Sequence, residues 1–199
     1  MDRLPAVRAS AVRDTLAFLD VFQAGAREQV MARVPAPSRA VIEETPRLGW
    51  VSVDHDHYTI DAIVEIFGRE RAIQCWSGAL SHLAERPLLR NFVSGMRRVF
   101  GNEPAQVISW FQKGWPLVYR DVCTPLLKST PSGRPMIVFD DVAEEIRRYS
   151  NYFHSWHGAC RGFATLAGVE GRVHFTVAPD LSYAEARFSW VTSAPPPPR

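Results

Sequence analysis

Seven side chains between Val142 and Phe163 set the strongest constraint on this chain. Val142, Ile146, Tyr149, Phe153, Trp156, Cys160 and Phe163 follow one another at intervals of 4, 3, 4, 3, 4 and 3. Such spacing puts every member on one side of an α-helix, and a stripe of this kind has to be covered. The flanking sequence says by what. Upstream, 122–130 and 135–142 are short β-prone runs joined by Thr130-Pro131-Ser132-Gly133-Arg134, a good hairpin loop. Downstream, Val173, Phe175 and Val177 alternate with Arg172, His174 and Thr176. Beyond a turn at 178–182, Ala186, Phe188 and Trp190 alternate with Glu185, Arg187 and Ser189. Alternation marks an antiparallel sheet with one covered face. The reading is a ββαββ unit over 120–192.

The first half has a different texture. Val12, Leu16, Leu19, Phe22 and Val30 predict a helix over about 10–32, capped by Ser10, which Gly25 is able to divide in two. Pro35-Ala36-Pro37-Ser38 ends it, and Ser38 is placed to cap a short helix ending near Glu44. Thr59 is expected to cap the next helix, with Ile60, Ile63 and Phe67 inside and Gly68 as its left-handed end. Helices over 69–85 and 87–100 follow, and Asn102-Glu103-Pro104 opens another that carries Val107, Ile108, Phe111 and Trp115 toward Tyr119. The fold class is therefore α+β: a helical N-terminal half packed on a C-terminal antiparallel ββαββ unit. One domain spans 1–193, its helical part covering 8–119, and 194–199 is a proline-rich tail.

Composition removes several classes of function. A net charge of +2, with acids and bases interleaved, is far from the basic footprint of a nucleic-acid binder. No apolar run nears the roughly 18 residues that span a bilayer, and the N-terminus lacks the apolar core of a signal peptide. Cys75, Cys123 and Cys160 are odd in number and far apart, which suits free buried thiols in a reducing, cytoplasmic setting.

Motifs for catalysis are missing: there is no nucleophile elbow and no glycine-rich phosphate loop. Asp54-His55-Asp56-His57 holds two kinds of metal ligand, but a polar entry into a helix explains the same residues. His154, His157 and Cys160 lie at i, i+3 and i+6, with Cys160 also in the apolar stripe. No catalytic residue and no metal site is assigned. Aromatics are the more informative set. Trp110, Trp115 and Tyr119 on one helix and Tyr149, Phe153 and Trp156 on another are read as either core or the lining of an apolar ligand pocket.

The C-terminal half also carries a resemblance. Trp115-Pro116-Leu117-Val118-Tyr119 leads into the hairpin, the long helix closes in 157–169, and Glu185-Ala186-Arg187-Phe188-Ser189-Trp190 ends the last strand. This pattern, over about 8–192, resembles a paralogous family of myxobacterial proteins. That family in turn is similar to the four-vinyl-reductase domain and, more distantly, to haem nitric-oxide-binding and TRAPP transport proteins. The resemblance implies a helical part on an antiparallel sheet, frequent dimerisation, and binding of small apolar ligands or partner proteins without catalysis. The Tyr-x-Ser-x-Arg motif of haem-binding relatives is replaced here by Tyr183-Ala184-Glu185-Ala186-Arg187, whose carboxylate would repel a propionate. A histidine such as His82 remains available to iron. Ala178, Ala184 and Ala186 stand where four-vinyl-reductase domains often carry cysteines.

The expectation is a cytoplasmic, homodimeric module that senses a small ligand or binds a partner protein in bacterial signalling or regulation, without a cofactor. A metal- or haem-dependent sensor or enzyme and a structural assembly subunit are the alternatives.

Overall fold

A computed structural model describes residues 4–85, 104–167 and 171–190. The expected helix over 87–100 lies outside the described residues. The helical half comprises α1 (Ala9–Phe22), α2 (Ala26–Arg33), α3 (Ala36–Glu44), α4 (Val53–Phe67), α5 (Arg69–Glu85) and α6 (Pro104–Val118). Gly25 does divide the first predicted helix, at φ +75° between α1 and α2. The C-terminal unit runs β4 (Thr124–Ser129), β5 (Pro135–Asp140), α7 (Glu144–Arg147), α8 (Tyr152–Leu166), β6 (Gly171–Val177) and β7 (Ala184–Trp190). Its four strands are antiparallel in the order β4-β5-β7-β6, with Phe139 opposite Ala184 and Phe175 opposite Ala186. The ββαββ reading and the α+β class hold. Among the described residues no helix is long and apolar enough to cross a membrane.

Three further strands were not expected: β1 (Ala6–Arg8), β2 (Trp50–Ser52) and β3 (Tyr119–Arg120). They form a small antiparallel sheet in the order β2-β1-β3, where Val7 faces Val51 on one side and Tyr119 on the other. This sheet ties the chain's start to the end of α6. Arg8 reinforces it, its guanidinium lying 3.7 Å over the Trp50 ring and donating through Nε to the Leu117 carbonyl at 3.2 Å.

The caps differ from expectation. Ser52, not Thr59, caps α4, its hydroxyl accepting from the Asp54 amide at 3.3 Å, so the helix begins seven residues early and takes in the whole Asp-His-Asp-His run. Gly68 closes it at φ +73°, as expected of a glycine end. Arg8 and Pro35 occupy the positions before α1 and α3, which leaves Ser10 and Ser38 inside those helices. The predicted helix over 142–163 is likewise interrupted: α7 is one turn, and 148–151 form a tight connection before α8. The bonds Tyr149 N–H to Ile146 and Phe153 N–H to Ser150 are i to i−3, so the backbone tightens without turning the stripe away from the core.

The core's closest seam is α5 against α8. A β-carbon added at Gly158 would sit 2.6 Å from the Trp76 β-carbon and 2.8 Å from the Ile73 carbonyl oxygen. Glycine there is what lets the helix backbones meet. Gly158→Ala is therefore expected to destabilise by about 1–3 kcal/mol, despite alanine's better helix propensity. At Gly114 on α6 an added β-carbon meets nothing within 4 Å, so Gly114→Ala is expected to stabilise by about 0.5–1 kcal/mol. Denaturant midpoints of the two variants should move in opposite directions, and a shared sign would refute the close-packed seam.

Candidate functional site

The Asp-His-Asp-His run lies on the first turns of α4, where carboxylates suit the helix's positive end. Each member has a defined contact. Asp54 Oδ1 accepts from the Tyr149 hydroxyl at 3.0 Å, and Asp56 Oδ2 from the Tyr152 hydroxyl at 2.6 Å. His55 Nδ1 lies 3.0 Å from the Ser38 hydroxyl. His57 stacks on Tyr149, ring centroids 3.9 Å apart and 7° from parallel. One turn further on, Asn151 Nδ2 donates to Asp61 at 2.8 Å. The run is a clasp that fastens α4 to the start of α8. His154 and His157 lie elsewhere: His157 stacks on Phe175 of β6 at 5.2 Å, and burial pushes its imidazole down to about 4. Among the described residues no three His, Cys, Asp or Glu side chains converge on a common point.

Beside the clasp is a cavity of about 240 Å³. Its walls come from α1, α4, α5, α6 and α8, with Val12, Ile60, Ile63, Leu80, Leu83 and Phe163 giving it an apolar character. The volume exceeds the about 150 Å³ that holds benzene in an engineered apolar cavity and lies below the about 300–1,000 Å³ of drug-sized sites. Polar groups are few. Asp56, Thr59, Tyr119 and Ser155 line the cavity, and Thr15 and Asp14 do so on α1, where Arg47 pairs with Asp14 at 2.9 Å. The Thr59 hydroxyl and the Trp115 indole N–H are buried without a hydrogen-bond partner among the described residues.

Asp56 is 5% exposed. Burial raises its carboxyl to about 6, and the hydrogen bond from Tyr152 pulls the other way. Burial, and then the Asp56 charge, push the Tyr119 phenol well above its ordinary range. The cavity therefore has one wall bearing a carboxyl that titrates near neutrality, and a phenol that stays protonated.

Of the six aromatic candidates, Trp115 and Tyr119 line this cavity, their rings 4.2 Å apart. The other four are not among its lining residues. Phe153 and Trp156 pack on each other at 5.0 Å, and Trp156 stacks on Phe139 of the sheet at 5.1 Å. Tyr149 belongs to the clasp, and Trp110 takes the Lys113 ammonium over its ring at 5.0 Å. The sequence reading missed Asp56 as a cavity residue. The signal was there: Asp56, Ile60, Ile63 and Phe67 follow at helical spacing, which puts the carboxylate on the apolar face.

The described lining of this cavity does not suit haem. Among its described lining residues there is no histidine, cysteine or methionine, and the phenol of Tyr119 is held protonated. His82 packs against Phe18 at 5.5 Å and is not part of the lining. The Asp56 carboxylate would oppose a propionate. The Tyr183–Arg187 stretch is closed on itself on β7, where the Tyr183 hydroxyl donates to Glu185 at 3.0 Å and Arg187 pairs with Glu185 at 2.5 Å.

No protein-family model and no curated protein matches the chain. Solved structures do. The crystal structure of the Fe(II) unliganded H-NOX protein from K. algicida superposes with a TM-score of 0.62 at 6% identity, covering 94% of this chain and 97% of that one. An alanine-to-glycine mutant of the same protein gives 0.57 at 7% identity, covering 93% and 97%. What this chain shares with those Fe(II) proteins is the H-NOX fold, over nearly its whole length.

Proposed function

We propose that this chain is a non-enzymatic module that senses a small ligand in the α1/α4/α5/α6/α8 cavity and acts in bacterial signalling or regulation without haem. The cavity itself supports the reading: an apolar volume of about 240 Å³ with a buried carboxyl on its wall. Such sites, mostly apolar with a few placed polar groups, are what small-molecule pockets look like. Its position suits sensing. A ligand touching Val12 and Ile60 on one side and Ala159 and Phe163 on the other bridges the helical half and the sheet's own helix. Its binding would bias how the two halves pack, which is the differential contact a switch requires. The H-NOX fold adds that this scaffold serves, in other chains, a centre holding Fe(II). We further assign the chain to the myxobacterial paralogues it resembles, as a cytoplasmic homodimer, a state that sedimentation of the purified chain would check.

Gly114 provides the test. It lines the cavity, sits in α6, and has open space where its β-carbon would go. Gly114→Leu is expected to fill the volume and keep the fold, since leucine also favours helix over glycine. Amide chemical-shift titrations of the wild type with indole should move cavity residues such as Ile63 and Leu80. The variant should lose at least about tenfold in affinity, roughly 1.4 kcal/mol. A wild type that binds no apolar probe would sink the proposal, as would a variant that binds as well.

A further inference from the structure

Building on the ligand-sensing reading, we propose that the cavity is specific for a small organic cation, an amine with a compact apolar body, whose ammonium seats on Asp56 Oδ1. Charge inside the cavity points there. The described lining bears two carboxylates, Asp14 and Asp56, and no lysine, arginine or histidine. Asp14 has its cation in Arg47. Among the described residues Asp56 has none: its hydrogen bond is to a neutral phenol, on Oδ2, and no described donor reaches Oδ1. A carboxylate buried to this degree is seldom left without a positive partner. A bound ammonium supplies one, and anions such as fatty acids or propionates meet repulsion. The aromatic wall of Trp115 and Tyr119 reinforces the choice, because ring faces favour cations once water is removed.

The neighbours of Asp56 shape its response to pH. Tyr152 on α8 and Tyr119 on β3 face it, both phenols pushed upward by burial and by its charge. Asp54 and His57 share its helix, fastened to Tyr149. Cys123, beside Tyr119, has its thiol raised by burial. From α1 comes Asp14, held by Arg47, while among the described residues α5 and α6 turn no titratable side chain onto the cavity. Among the described lining residues, Asp56, with its carboxyl near 6, is then the group whose charge changes between pH 5 and 7.5.

Three probes of one shape decide the matter: 2-phenylethylamine, 2-phenylethanol and phenylacetate, titrated calorimetrically into the full chain. At pH 7.5 the amine should bind at least about tenfold more tightly than the alcohol, and phenylacetate not measurably. The amine stays protonated throughout, so its affinity should rise about tenfold from pH 5 to 7.5 with the ionised fraction of Asp56, while the alcohol's stays flat. Asp56→Asn, its folding checked by its thermal transition, should bring the amine down to the alcohol's level. If that variant fails to fold, the wild-type pH profile and amine-to-alcohol ratio carry the decision. An alcohol that binds as well as the amine, or an amine affinity flat in pH, overturns the cation assignment and leaves ligand binding standing. Failure of all three probes overturns both.

Discussion

Cutting Trp156 back to alanine is expected to destabilise the chain by about 3–5 kcal/mol, the range for loss of a large buried aromatic. The ring is 0% exposed and stands where three parts of the fold meet. It stacks on Phe139 of β5 at 5.1 Å, meets Trp115 of α6 edge-on at 5.4 Å, and touches Phe153 of its own helix at 5.0 Å. Those neighbours are held by a sheet strand and two helices, so they have little freedom to close the gap, and the cavity penalty adds to the lost burial. For a chain of this length each kcal/mol shifts the melting temperature by roughly 2–4 °C, which puts the expected drop at roughly 6–20 °C. Urea unfolding of the variant should show a lower midpoint with an unchanged slope. A loss under about 1 kcal/mol would mean that the sheet and α8 are not packed through this ring.

The ring cluster also shows why much of the fold is legible in sequence. Val142 to Phe163 and the two alternating strands are long, periodic patterns, and burial of one face enforces them. What escaped is local or polar. The strands β1, β2 and β3 have three, three and two residues, too few for alternation to show, and they exist because Val7 finds Val51 and Tyr119 far along the chain. The capping role of Ser52 was hidden because Thr59, also a capping residue type, precedes the clearer apolar repeat. The break at 148–151 follows from tertiary bonds: Tyr149 and Asn151 are drawn to Asp54 and Asp61, about a hundred positions earlier. The site suffered most. A buried aspartate and an exposed one are the same letter, and Asp56 is distinguished by Tyr152, 96 positions away. Trp115 and Tyr119 were visible as aromatics, yet whether they border a void depends on where α1 and α5 come to rest.

Asp56→Asn should raise stability at pH 8 and change it little at pH 4. In the folded chain the carboxyl titrates at about 6, against 3.8 for the free side chain. Between those values the folded chain holds a proton that the unfolded chain has released, so stability falls as pH rises through the window. The full difference, about two pKa steps, is on the order of 3 kcal/mol above pH 6. Asparagine keeps an oxygen for the Tyr152 hydroxyl and carries no charge, so it escapes that loss. His157 slopes the opposite way: burial pushes its imidazole from 6.5 to about 4, and stability is lost as pH falls through that range. Between pH 4 and 6 the two effects oppose each other, and the wild-type profile should be shallow there. Removing the Asp56 limb should leave a profile that rises with pH, and a melting temperature at pH 8 several degrees above wild type. A chain that keeps an uncompensated buried carboxylate at such a cost retains it against stability, as binding sites do and cores do not. Melting curves of both proteins from pH 4 to 8 test this directly. A variant less stable than wild type at pH 8 would show that the carboxylate is already compensated inside the protein, which would remove the need for a cationic ligand as well.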